Sequence, residues 1–282
     1  MAAPGSRRGP DVALTQALLA AYALIILFPL VWLGYTALKS SVEIFQSVWG
    51  LPKTPHWENF AHAWGGDGQL GRYFGNSALV VTVSLTLILL LGAMAAYGLT
   101  RFRFRGAHFL LNTFIAGMMF PIFLAIVPLF LLMGQWGLTG TRLGLILAYV
   151  AYSLPFTVFV LAGFFRSLPG ELAEASRMDG CTQFGTFWRV MMPLAKPGLA
   201  VAAVFNFIGL WNEYPLALVL ITEPSRRTLP VGIAAMAMRQ QYSADWGALF
   251  AGLLIVMAPT VVAYLFFQRQ ISAGLMAGAL KG

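Results

Sequence analysis

Glu174-Ala175-Ser176-Arg177-Met178-Asp179-Gly180 sets acids and a base close together between long apolar runs. A short charged helix of this kind does not cross lipid. Its mixed acids and base suit docking against another protein. Other groups with chemical potential are few. Gly34-Tyr35-Thr36-Ala37-Leu38-Lys39-Ser40 approaches a phosphate-binding loop, but Leu38 replaces the glycine before the lysine and the segment closes an apolar run with no preceding strand. Cys181 is the only cysteine, which excludes an intramolecular disulfide and a cysteine-rich metal site. His56, His62 and His108 lack metal-ligand spacing; His56 and His62 read as surface histidines of a polar loop, and His108 lies at the edge of an apolar run. Glu213 lies within an apolar run, where a charged acid costs about 2.5–3.5 kcal/mol at a helix centre unless it faces protein or water. Beside Trp211, Asn212 and Tyr214 it offers either a pore-lining aromatic and polar platform or a helix–helix hydrogen bond. No constellation reads as catalytic, and no metal site is expected.

Composition decides which elements position these groups. The 282 residues are 59% hydrophobic and 10% charged, with a mean hydropathy of +0.76, well beyond an ordinary globular domain. Apolar runs give six expected spans at about 13–38, 73–99, 108–133, 143–165, 198–221 and 247–268, each near the roughly 20 residues that cross a hydrocarbon core. The runs are continuous rather than alternating, so they read as helices, not barrel strands. The expectation is an all-α polytopic membrane protein forming a single transmembrane domain over 1–282. Arg7-Arg8 precedes a first run too long for a signal sequence, which reads as an uncleaved span. An even span number places both termini on one side. Eleven of the 18 Lys and Arg residues fall on that side, including the Arg101-Phe102-Arg103-Phe104-Arg105 cluster, so both termini are expected to be cytoplasmic. The net charge of +8 then reflects topology and attraction to anionic membrane lipid, not nucleic-acid binding.

The loop 166–197 is expected to be a cytoplasmic helical hairpin. Pro169 suits a helix start, Glu171 and Glu174 lie early in the helix, and Gly180 ends it; Thr182 N-caps a second helix that Pro193 breaks. Leu172, Ala175, Met178 and Cys181 are expected to pack back on the spans, leaving Glu174, Arg177 and Asp179 toward water. An interfacial connector between two spans is the plain alternative.

Glu174-Ala175-Ser176, Gly180 after three intervening residues, and Val190, Met192 and Pro193 after nine more resemble the EAA loop of ABC importer permeases. Ser176 replaces an alanine, and Val190 and Met192 replace isoleucine and leucine. Asn76-Ser77, the run Ala96 to Gly106, Trp211-Asn212-Glu213-Tyr214 and the ending Gly274 to Gly282 resemble the carbohydrate branch, the maltose-type, MalG-like permeases. Resemblance implies a permease subunit of an ATP-driven, binding-protein-dependent importer of a sugar or oligosaccharide in a prokaryotic inner membrane. It implies a MalF-like second permease, two ATP-binding subunits and an extracytoplasmic sugar-binding protein. The chain itself carries no cofactor; ATP and magnesium belong to the partner ATPase.

By the same resemblance, Glu174 docks in an ATPase groove, Gly180 shapes the turn, Arg177 and Asp179 supply rim contacts, and Ala175 and Ser176 complete the helix. The tail with Lys281 and Gly282 reaches the ATPase interface. Trp211, Asn212, Glu213 and Tyr214 are a candidate substrate path, and the outer loops 39–72 and 221–245 receive the binding protein. The alternatives are an ABC permease for a non-sugar solute and an ATP-independent secondary transporter.

Overall fold

The computed structural model describes residues 10–66 and 69–279. In chain order these form α1 (Pro10–Thr36), α2 (Ser41–Gln46), α3 (Glu58–Gly65), α4 (Leu70–Arg101), α5 (Ala107–Met118), α6 (Ile122–Gln135), α7 (Arg142–Ser167), α8 (Gly170–Met178) and α9 (Gln183–Thr186). A π-helical turn (Phe187–Met191) leads to α10 (Met192–Leu194), α11 (Lys196–Trp211) and α12 (Pro215–Leu220). A 3₁₀ turn (Pro224–Arg226), α13 (Leu229–Ser243) and α14 (Trp246–Ala279) complete the described chain. The described residues contain no strand, and the protein is an all-α, polytopic membrane protein. Four helices are long and apolar enough to cross a membrane, and two sharply bent helix pairs raise the number to six when each pair counts as one span. Contacts divide the chain into two compact units, Met1–Gln69 with Ala235–Ile255, and Leu70–Ala234 with Val256–Gly282.

In the first unit, the candidate span of α1 has no buried share, as expected of a helix solvated by lipid. Lys39, from the false phosphate-loop pattern, is fully buried. Its Nζ donates to the carbonyls of Ser47 (2.7 Å) and Val48 (3.3 Å) and lies 5.1 Å from the Tyr35 ring centroid. The ammonium thus meets backbone carbonyls and an aromatic face, which are partners for a cation and not a cradle for phosphate. Asn59 Nδ2 donates to Ala37 O (2.8 Å) and Lys39 O (2.9 Å). A Cβ on Gly247 would lie 2.6 Å from Asn59 Nδ2, so a glycine is required where α14 begins. The Asn59 bonds tie α3 to the end of α1.

The second unit is built on α4 against α7. Gly92 permits that approach: a Cβ there would lie 2.5 Å from Thr157 Cγ2. Gly198 does the same for α11, where a Cβ would lie 2.5 Å from the Phe164 ring. Small residues at such contacts let helix backbones approach where lipid supplies no hydrophobic drive. Buried Asn206 Nδ2 donates to Thr157 Oγ1 (2.8 Å), a polar link worth about 0.6 kcal/mol on average within membranes.

Two expected spans are corrected. The run 108–133 is not one helix: α5 and α6 meet at 102°. Pro121 has no N–H to continue the ladder and disfavours helical backbone at Phe120, whose own N–H shortens its bond to Gly117 O. The run 198–221 is likewise interrupted, because α11 ends at Trp211 and Pro215 restarts the chain as α12. Pro193 does not break the second hairpin helix as expected. A π turn carries the helix past it, with Met192 N–H bonded to Phe187 O, and the 73° bend lies between Leu194 and Lys196.

Candidate functional site: the hairpin between α7 and α11

α8 ends in a complete Schellman motif. Gly180 has φ +84°, Cys181 N–H donates to Ser176 O (3.0 Å) and Gly180 N–H to Arg177 O (3.0 Å), satisfying the last carbonyls of the helix. Thr182 Oγ1 then accepts from Gly185 N–H (3.1 Å) and starts α9. The chain reverses within four residues because glycine tolerates the left-handed backbone and threonine supplies the cap.

The packed face of α8 differs from expectation. Ala173 and Ser176 are buried, whereas Leu172, Ala175 and Met178 are exposed, Met178 by 89%; Cys181 is half-buried. Ser176 Oγ lies 2.8 Å from the buried Thr186 Oγ1 and 3.1 Å from Ala173 O. Only small side chains fit so close an approach of α8 to α9, so the larger apolar groups turn outward. Ala173, Phe187, Met191 and Ala195 join one core with Ala93, Ala96 and Tyr97 of α4 and Val158, Leu161 and Phe165 of α7. The Tyr97 ring meets that of Phe187 at a tilt (5.1 Å) and that of Phe165 edge-on (5.6 Å). The hairpin is therefore one packed body with α4 and α7.

Arg101 adds a polar clamp that charge counting alone read as a topology signal. Its Nη2 donates to Phe165 O (2.6 Å) and Leu168 O (2.7 Å), the orphan carbonyls at the end of α7. It thereby fixes the turn from which α8 departs. Glu171, Glu174 and Asp179 are exposed and, among the described residues, make no side-chain hydrogen bond or ion pair. Arg177 Nε folds back onto Ala173 O (3.1 Å). The outward surface thus combines unpaired carboxylates with Leu172, Met178 and Phe184.

A second group lies at the opposite ends of α4 and α7. Asn76 Nδ2 donates to Ser225 O (3.0 Å) and Arg227 O (2.9 Å), while its Oδ1 accepts from Arg142 Nη2 (2.8 Å). Arg226 Nη1 donates to Gly140 O (3.0 Å), and Ser77 Oγ accepts from Leu229 N–H (2.8 Å). These bonds hold the loop 221–228 in place. The only sign in the sequence was a pair of polar residues, Asn76-Ser77, opening an apolar run.

The substrate-path group is split. Trp211 is buried, with its ring against Phe207 (5.7 Å) and Phe74 (5.3 Å) and its Nε1 donating to Val256 O (3.2 Å), so its faces are occupied within the chain and offer no platform to a sugar. Glu213 sits in the break between α11 and α12. Its Oε1 accepts from Leu216 N–H (2.7 Å), and its Oε2 accepts from Ala217 N–H (3.0 Å) and the Tyr149 hydroxyl (2.7 Å). The expected helix-interior acid is thus a helix cap with an intrachain partner. Asn212 is exposed and Tyr214 half-buried. Lys281 and Gly282 lie outside the described residues. No group of three or more His, Cys, Asp or Glu with metal-ligand geometry occurs among the described residues.

Residues 88–274, which include the whole hairpin, match the family described as binding-protein-dependent transport system inner membrane component. The chain belongs to this family. As a member it is an inner-membrane transport permease and not an enzyme. The permease is 44% identical over 269 residues to the diacetylchitobiose uptake system permease protein NgcG of Streptomyces coelicolor, covering 95% of this chain and 89% of that one. It is 36% identical to the trehalose transport system permease protein SugB of Mycobacterium tuberculosis, covering 99% and 100%. Its fold is similar to a chain of a bacterial ABC transporter involved in the import of the acidic polysaccharide alginate. The TM-score is 0.81 at 22% identity, over 95% of this chain and 99% of that one.

Proposed function

We propose that this permease moves a sugar or oligosaccharide across the cytoplasmic membrane, and that its α8 hairpin docks in a groove on a cytosolic ATP-binding subunit. Relatives named for diacetylchitobiose and trehalose support the solute class. The single observation that carries the docking is the outward surface of α8, where Glu174 is unpaired and Met178 is 89% exposed while the small Ala173 and Ser176 face inward. An apolar knob beside a free carboxylate fits an apolar cleft with a basic rim. Arg177 and Asp179 flank the contact, and Gly180 sets its turn.

In this reading both termini are cytoplasmic, and a second permease subunit completes the pathway. Two ATP-binding subunits carry ATP and magnesium, and an extracytoplasmic sugar-binding protein delivers solute to the outer loops, including the segment held by Asn76 and Arg142. Lys281 and Gly282 extend the contact with the ATPases. Asn212 and Tyr214 keep polar atoms for the solute path, while Trp211 supports the wall behind it. ATPase closure moves α8, and the shared core passes the motion to α4 and α7 because packed elements shift as bodies between discrete states. Replacing Glu174 by Lys sets like charges against the rim. Glu174→Lys is expected to abolish uptake while the protein still inserts into the membrane and assembles with its second permease. Wild-type uptake by that variant would end the docking assignment.

A further inference from the structure

Beside the hairpin, the chain between α4 and α5 encloses a groove of about 680 Å³. Arg103, Arg105, His108 and Arg166 line it, and no carboxylate does. The three arginines and His108 are exposed and, among the described residues, have no hydrogen-bond or ion-pair partner for their side chains. Leu99, Leu111 and Ile115 supply an apolar wall. Phe109 and Leu110 stand exposed on the adjacent first turns of α5. Three unpaired guanidiniums lining one groove where apolar spans end call for an anion, and one joined to an apolar chain. Guanidinium presents a planar fork that matches phosphate oxygens, which free lysines do not.

We infer that this groove binds an anionic membrane phospholipid, its phosphodiester between Arg103, Arg105 and Arg166 and the start of its acyl chain along Leu111 and Ile115. Charge complementarity and continuity with the membrane-facing surface of α5 favour lipid over a protein segment, which would bring no apolar tail toward the spans. Basic pockets at helix ends on the cytoplasmic side hold phospholipid headgroups in this way. The groove adjoins Arg101, so an occupied site would brace the turn that launches α8. The inference does not depend on which solute is carried.

The test is native mass spectrometry of the full-length protein in its purified transporter, titrated with phosphatidylglycerol or phosphatidylcholine. The wild type is expected to retain one phosphatidylglycerol in preference to phosphatidylcholine. Each arginine contributes about fivefold in affinity, so Arg103→Ala/Arg105→Ala/Arg166→Ala is expected to weaken retention on the order of a hundredfold. The corresponding triple Lys variant, which keeps the charge but not the fork, is expected to fall between the wild type and the triple Ala variant, separating lost binding from misfolding. Equal retention of the two lipids, or undiminished retention by the triple Ala variant, would overturn the inference. So would displacement of the lipid by inorganic phosphate alone, which would mark a free-phosphate site. Arg105→Cys provides the last arm: efficient cross-linking to a partner subunit would show the groove to be filled by protein instead.

Discussion

Arg101→Lys separates two roles that a positive charge can have at the end of a span. Lysine preserves the charge that orients the helix in the membrane, but its shorter side chain does not carry its ammonium as far as Arg101 Nη2, which reaches Phe165 O (2.6 Å) and Leu168 O (2.7 Å). Hydrogen bonds from a charged donor contribute about 1.5–3 kcal/mol each. Arg101 is half-buried and water can replace part of the interaction, so the loss of both bonds in Arg101→Ala is worth about 2 kcal/mol in total. That raises the population in which the turn before α8 is open by roughly 30-fold. Hydrogen–deuterium exchange over residues 165–180 should accelerate accordingly, with Arg101→Lys intermediate. In reconstituted transporter, ATP turnover should become less dependent on loaded binding protein in both variants, while membrane insertion of Arg101→Lys stays normal. Unchanged exchange and full coupling in Arg101→Lys would refute the clamp and leave Arg101 as a topology signal only.

Gly198→Val drives a branched side chain into Phe164 and is expected to destabilise the permease by about 1–3 kcal/mol, read as a lower thermal midpoint in detergent. Tyr149→Phe and Glu213→Gln should be non-additive, with a coupling of about 1.5 kcal/mol in a double-mutant unfolding cycle; additivity would contradict the bond between them. Outside the spans, the hydrogen bond from His56 first, and then the backbone, hold the Glu58 carboxyl below its usual range. Because the folded value is depressed, this contribution is fully present above the ordinary carboxyl value and is lost as pH falls through the lower folded value. Amide exchange over residues 52–66 should therefore accelerate on acidification in the wild type and change less in Glu58→Gln.

Hydropathy located the apolar runs because lipid demands about the same length from every span. It passed over the breaks at Met119–Pro121 and Asn212–Tyr214, since both lie inside apolar sequence, and only the prolines marked them. The bounds of α8 were legible from Pro169 and Gly180, where backbone chemistry is local. Its inward face was not legible. Apolar periodicity pointed to Leu172 and Met178, but a close approach to Thr186 selects for small size, and that depends on a partner helix the sequence does not display. Arg101 and Arg142 entered only as charges counted for topology, and Lys39 as part of a failed phosphate-loop pattern. Their roles lie in carbonyl and amide partners 8 to 67 residues away, distances at which no spacing rule applies. Glu213 was visible as an anomalous acid, yet its role as a cap emerged only once the helix was seen to stop before it.

The assignment of α8 as the ATPase-docking element is tested most directly by site-specific cross-linking in intact membranes, using Met178→Cys in a Cys181→Ser background. The exposed Met178 position is expected to form an adduct with the ATP-binding subunit, whereas the buried position probed by Ser176→Cys should form none. Labelling of Met178→Cys by an impermeant maleimide from outside the cell, with no ATPase adduct, would contradict it.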